Sequence, residues 1–303
     1  MGKALSQIYI DFNDQETLAD NVINFRPKRK RKIVFGWYGG KFSHLDWLLP
    51  LLPKSQNYCE PFSGSAAVLL NRQPSKVETY NDIDGDLVNF FRVLRDRNEE
   101  LIKAISLTPF SREEYFRAIY GSLIGISEVE RARRFYVRAR QTRTGLAQTA
   151  TLGRWANCKE TSRSGMSGAV SRWLGGIEIL EDIAKRLLRV QIENRPACDF
   201  IETYDSPNTL FYCDPPYLHS TRSDSNAYGF EMDELQHIEL AKMLNSIKGK
   251  GAISGYRCDL MDKLYIGWSR FDAPTKQCHS SKKERQESLW MLSLIHISEP
   301  TRP

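Results

Sequence analysis

At 303 residues with 41% apolar content, the chain is long enough for one core domain plus a smaller second part. No run of eighteen apolar residues occurs and the start is polar with several acids, which argues against a membrane span and a secretory signal. Six scattered cysteines, with no Cys-x-x-Cys and no histidines at metal spacing, predict reduced thiols in a cytoplasmic protein and call for no metal. The net charge of +6 is concentrated: residues 111–175 carry twelve Arg/Lys against five Asp/Glu, and residues 1–32 carry seven against four, as expected for a polyanion partner.

In chain order, residues 1–32 lack a period and end in Arg26-Pro-Lys28-Arg29-Lys30-Arg31-Lys32, a disordered basic tail suited to phosphate contact. Phe35-Gly36-Trp37-Tyr38-Gly39-Gly40-Lys41 follows. Alternating periods then predict a helix near 43–52, a strand near 57–60, a helix near 65–71, a strand near 77–81 and a helix near 84–95. This is the first half of an α/β sheet. Between the first strand and its helix lies Glu60-Pro61-Phe62-Ser63-Gly64-Ser65-Ala66-Ala67. Its short side chains let backbone approach a ligand, and the helix aims its amides at the loop. The second strand ends in Asn81-Asp82-Ile83-Asp84, and an acid about twenty residues after a glycine loop, at a strand tip, is placed to bind ribose hydroxyls. No phosphate-type glycine signature accompanies it. A nucleoside such as S-adenosylmethionine fits.

Residues 105–175 break the alternation. Ser111-x-x-Glu114 and Ser127-x-x-Glu130 are capping-box signatures that start two helices. The second helix lines Val129, Ala132, Phe135, Tyr136 and Ala139 along one face and carries six arginines between 131 and 143 with no acid among them. Such a surface repels itself unless an anion binds, so Arg134, Arg138 and Arg140 are expected at phosphates. The polar stretch that follows offers hydroxyls, amides and arginines to DNA, with Arg143 and Arg154 the candidates for base edges. Trp155 or Trp173 could stack or wedge, although Trp173 reads more simply as core.

Sheet periodicity then resumes with a helix at 176–189, strands at 190–192 and 209–213, a helix at 233–247, a strand at 251–254 and a closing hairpin from 267–272 and 287–291. Residues 219–230 have the composition of a mobile lid. Residues 292–302 spell what a widely used transposase sequencing adapter encodes in one frame and are expected to be a scar.

The apolar run 209–213 stops at Asp214-Pro215-Pro216-Tyr217. A strand that ends abruptly in a rigid polar loop is placed where open α/β sheets carry active sites. Prolines fix φ and donate no N–H, so their carbonyls are preset acceptors beside the aspartate and the aromatic ring. Acceptors for an amine next to a flat face suit an exocyclic amino group of a nucleobase.

In this order the blocks resemble the Dam-like (D12 class) DNA adenine methyltransferases. That family carries Trp-x-Gly-Gly-Lys, Glu-Pro-Phe-x-Gly-x-Gly/Ala, an Asp-Ile-Asn/Asp turn, a variable recognition insert and Asp-Pro-Pro-Tyr. The likeness covers roughly residues 33–104 and 180–291. It implies a Rossmann-like, mostly parallel α/β methyltransferase domain (33–104 and 176–291) with a mainly helical recognition insert (105–175), between the tail 1–32 and the scar 292–303. By the same resemblance Trp37, Lys41, Glu60, Phe62, Gly64, Asp82 and Asp214 would bind S-adenosylmethionine, with Phe62 packing its adenine and Lys41 near its carboxylate. Asp214, Pro215, Pro216 and Tyr217 would be catalytic. Asp214 and the Pro215 carbonyl would accept the N6 hydrogens, and Tyr217 would stack on an adenine flipped from double-stranded DNA. A monomer is expected, and the resemblance leaves a restriction partner open. Cytosine-N4 methylation and a non-catalytic DNA-binding relative are the alternatives. Ala66, where many relatives carry glycine, is expected to be tolerated at negative φ.

Overall fold

The architecture is taken from a computed structural model, which describes residues 31–143, 147, 150–163, 165–221, 229–274 and 287–292. The basic tail up to residue 30, residues 222–228 of the expected lid, the connection of the closing hairpin and residues 293–303 lie outside the described residues. The helices are α1 (Leu45–Leu51), α2 (Ala67–Asn71), α3 (Gly85–Asp96), α4 (Asn98–Ser106), α5 (Arg112–Tyr120), α6 (Glu128–Gln141), α7 (Gly168–Ile177), α8 (Leu180–Leu187), α9 (Ala197–Tyr204), α10 (Glu234–Ser246) and α11 (Asp259–Leu264). The strands are β1 (Asn57–Glu60), β2 (Val77–Asn81), β3 (Ser162–Arg163), β4 (Met166–Ser167), β5 (Val190–Glu193), β6 (Thr209–Cys213), β7 (Lys250–Tyr256), β8 (Ser269–Asp272) and β9 (Glu287–Leu292).

Seven strands form one sheet in the order β5-β2-β1-β6-β7-β9-β8. The first five run parallel, and the β8–β9 hairpin closes the far edge antiparallel. β6 is buried along its whole length, which is why its sequence is an uninterrupted apolar run. The chain leaves β1 outward to β2 and returns to lay β6 against the other side of β1. That reversal is a topological switch point, and the loops at the carboxyl ends of β1 and β6 splay apart there into a crevice. This is the Rossmann-like sheet that the periodicity and the resemblance predict.

Ser111 and Ser127 cap their helices as expected, accepting from the amides of Glu114 and Glu130. The expected helix over 176–189 corresponds to α8, and α7 before it begins at Gly168, inside the expected insert. The short helices α4, α9 and α11 and the β3–β4 hairpin were not foreseen.

Helices α5 to α7 do not enclose a core of their own. Phe135, Tyr136 and Trp173 belong to the same buried cluster as Tyr58, Tyr80 and Phe91 beneath the sheet, and the Tyr136 ring stacks on Phe90 at 5.7 Å. That buried cluster continues on both sides of residue 105, from Leu101 and Ile105 to Ala118 and Ala132. Among the described residues no helix is long and apolar enough to cross a membrane.

Candidate active site

The loop after β1 is shaped by two left-handed residues, Gly64 at φ 50° and Ala66 at φ 56°. Gly64 has a second reason to lack a side chain: a Cβ there would lie 2.7 Å from Cδ1 of Trp37. Its carbonyl accepts from the Tyr80 hydroxyl at 2.9 Å and its amide donates to Asp82 Oδ2 at 2.9 Å. Asp82 Oδ1 accepts from the amide of Asp84 at 3.0 Å. The Asn81 side-chain amide donates to the carbonyls of Pro61 and Arg195. These bonds stitch the loops after β1, β2 and β5 into one rim. Tolerance of Ala66 is tied to a negative φ, and that condition is not met: Ala66 is left-handed at the N-cap of α2.

The rim encloses a cleft of about 810 Å³. All seven residues expected to hold the cofactor line it: Trp37, Lys41, Glu60, Phe62, Gly64, Asp82 and Asp214. The opposite wall comes from Ala197, Cys198 and Asp199 at the start of α9 and from Gln236, Glu239 and Met243 on α10. Sequence reasoning missed the α9 residues. Their signal was a proline followed by a short amphipathic turn directly after a strand. Burial is the largest influence on the carboxyls here: it pushes Glu60 up to about 8 and Asp82 and Asp214 up to about 6.

At the end of β6, Asp214 Oδ1 lies 2.7 Å from Lys41 Nζ. The same ammonium donates to the Gly39 carbonyl at 2.8 Å and lies 3.3 Å from Glu287 Oε1. The Tyr217 hydroxyl is within reach of Glu287 Oε1 at 2.5 Å and of Asp214 Oδ1 at 3.2 Å. His237 on α10 contributes Nε2 at 2.9 Å from the Pro216 carbonyl. A carbonyl only accepts, so Nε2 carries the proton and pins the proline loop. Pro216 lines the cleft, whereas Pro215 is buried beside it. Tyr217, expected to stack on the flipped base, follows these prolines. The residue is buried, Lys41 Nζ stands 4.9 Å from its ring centroid, and Tyr256 packs against it edge-on at 4.9 Å.

The arginines of α6 are corrected in their premise. The chain supplies their acids from other turns and helices: Arg134 bonds Glu130, and Arg138 bonds Asp86 on α3. Arg140 donates to the Arg172 carbonyl. Their side chains are packed, with Arg134 11% and Arg138 17% exposed. Arg143 and Arg154 behave differently. A bridge between Thr142 and Trp155 and a bond from the Arg143 amide to the Arg154 carbonyl bring the two together, and both are exposed. Trp155 packs on Phe110 at 5.3 Å with Arg112 over its ring, and Trp173 is core.

Residues 37–280 match the family of D12 class N6 adenine-specific DNA methyltransferases. A type II methyltransferase of Lactococcus lactis subsp. cremoris is 27% identical over 275 residues, covering 82% of this chain and 87% of its own. A DNA adenine methylase of Haemophilus influenzae is 25% identical over 244 residues, with 76% and 80% covered. A DNA N-6-adenine-methyltransferase of Escherichia phage P1 is 23% identical over 228 residues, 72% of this chain but 28% of the phage protein. The family match spans most of the chain and takes in the three loops that converge on the cleft, and the chain belongs to the D12 class of N6 adenine-specific DNA methyltransferases.

Proposed function

We propose that the cleft binds S-adenosylmethionine and that Asp214 and the Pro215 carbonyl receive the amino group of an adenine swung out of duplex DNA. The observation that carries this is the position of Asp214: it leaves the central strand at the switch point and lines the cleft together with Glu60, Gly64 and Asp82. The cleft volume suits a nucleoside-sized ligand. Gly64 leaves open the space that a side chain would fill. Buried carboxyls that resist ionisation suit a ligand that brings positive charge. S-adenosylmethionine brings a sulfonium and an ammonium, and its methyl group is the one transferred.

The amino lone pair of adenine is delocalised into the ring. Two acceptors on the N6 hydrogens localise it, and the rigid proline loop, pinned by His237, holds those acceptors without reorganisation. Base flipping makes N6 accessible and costs about a few kcal/mol in unstacking. Tyr217 stands beside Asp214, its hydroxyl 3.2 Å from Oδ1, next to where the base would enter. The exposed pair Arg143 and Arg154, within residues 105–175, serves DNA recognition.

Transfer of tritium from labelled S-adenosylmethionine to mixed-sequence duplex tests the reading, with digestion of the product to nucleosides. N6-methyl-2′-deoxyadenosine is expected, and Asp214→Ala should lose roughly 10²–10³-fold or more in kcat. Wild-type turnover by that variant, or label on cytosine, would refute the proposal.

A further inference from the structure

We infer that Glu287 is a positioning residue for methyl transfer: it holds the Tyr217 hydroxyl and the Lys41 ammonium around Asp214, and its charge governs how readily Asp214 ionises. The inference rests on the reading of Asp214 as acceptor for the adenine amine.

Glu287 opens β9, an antiparallel strand that reaches the site from the sheet edge, where it pairs with Tyr256 of β7. Its side chain is 9% exposed. One oxygen, Oε1, takes the Tyr217 hydroxyl at 2.5 Å and faces Lys41 Nζ at 3.3 Å. Lys41 and Tyr217 both address Oδ1 of Asp214. Two carboxylates therefore share one ammonium in a buried cluster. A second anion there works in two ways. It draws Lys41 partly away from Asp214, and it repels the charge that Asp214 must carry to accept a hydrogen.

The groups that face Asp214 from each packed element are Lys41 from the turn before α1, Tyr217 from its own loop, Glu287 from β9, Glu60 from β1 and Tyr212 from β6. Burial raises Asp214 most, Lys41 opposes it, and Glu287 adds to the rise. Neutralising Glu287 while keeping its shape leaves Lys41 wholly to Asp214. The aspartate then stays ionised to lower pH.

The test is the pH profile of kcat/KM for duplex DNA in wild type, Glu287→Gln and Glu287→Asp, because its acid limb follows an essential base before substrate binds. Glu287→Gln is expected to move that limb to lower pH by about one unit, and Glu287→Asp, which keeps the charge, to leave it in place even where kcat falls. Calorimetric binding of S-adenosylmethionine establishes that each variant is folded, and Glu287→Ala takes the place of the glutamine variant if that one does not fold. A limb that coincides with wild type in the neutral variant overturns the inference. Asp214→Ala, run in parallel, separates the two claims: activity retained there defeats the acceptor reading itself, whatever Glu287 does.

Discussion

Burial acts on the carboxyls of the cleft and on those around α6 alike, yet their pKa values move in opposite directions. In the cleft, burial dominates and pushes Glu60 up to about 8 and Asp82 to about 6. Around α6, burial raises Asp86 as well, but hydrogen bonds from Arg138 and Arg131 outweigh it and hold the carboxyl below its usual range. Glu130 is held down foremost by Arg133. The difference is the supply of cations. Helix α6 brings its own to the acids of α3, α5 and its first turn, so that charge is spent on architecture. In the cleft Lys41 is shared between Asp214 and Glu287, and among the described residues Glu60 has no such cation at hydrogen-bond distance to offset its burial, so it keeps its proton at neutral pH. Strained ionisation of this kind marks a site, whereas satisfied ion pairs mark a scaffold.

The largest effect that would break this contrast lies at Glu60. A carboxyl whose folded pKa exceeds its unfolded value binds more protons when folded, so stability is lost as pH rises from the unfolded pKa through the folded one. For Glu60 that window runs from 4.5 to about 8. The ligand-free protein should therefore melt lower at pH 8 than at pH 6. Glu60→Gln, neutral at every pH and still able to accept from Tyr58, should gain on the order of a few kcal/mol at pH 8 and flatten the dependence. Thermal melts that are flat in wild type would show that the cleft acids are not strained.

Next is the rim. Gly64→Val places a branched side chain in a left-handed conformation and against the Trp37 indole. The strain is roughly 1–3 kcal/mol, and its release displaces the loop that Asp82 holds. Calorimetry should show S-adenosylmethionine affinity falling by about tenfold or more. Equal affinity would mean that the loop does not shape the cofactor site.

The cleft was legible because its parts are local. Glycine before a helix, acid at a strand tip and proline after an apolar strand each act through neighbours in sequence, and Gly64, Asp82 and Asp214 fell where those rules put them. The arginines were legible only in part, since Glu130 stands four residues before Arg134 on the same helix. Residues 131–143 contain no acid, but Asp86 lies 52 positions from Arg138, and no rule of spacing finds a partner across that separation. Glu287 was hidden for the same reason: it meets Tyr217 from 70 positions away and reads in sequence as one more residue of an edge strand.

On the scaffold side, Arg138→Ala should lower stability by roughly 1–3 kcal/mol, because Asp86 loses one of its two cations in a half-buried place. It should leave the salt dependence of DNA binding unchanged. Replacing Arg143 and Arg154 with alanine should do the reverse, with melts unaltered and, for each arginine that meets a phosphate, a slope of log K against log[salt] shallower by about 0.9. If either sits on a guanine edge instead, cognate binding alone weakens, by about 1–3 kcal/mol. A flattened slope in Arg138→Ala would return α6 to the DNA surface.

The smallest effect separates two residues that share one conformation. Ala66 holds φ 56° two positions after Gly64 and is fully buried. Left-handed backbone costs an alanine roughly 1 kcal/mol, so glycine should relieve strain there. The same replacement removes a buried methyl, worth about 0.8 kcal/mol, and loosens the unfolded chain. The opposing changes nearly cancel, and Ala66→Gly should shift the midpoint of denaturant unfolding by less than the equivalent of about 1 kcal/mol while cofactor affinity stays the same. A side chain at position 64, by contrast, would meet the Trp37 indole. A large change in affinity from this substitution would mean that the turn into α2, rather than the Gly64–Trp37 contact, sets the shape of the rim.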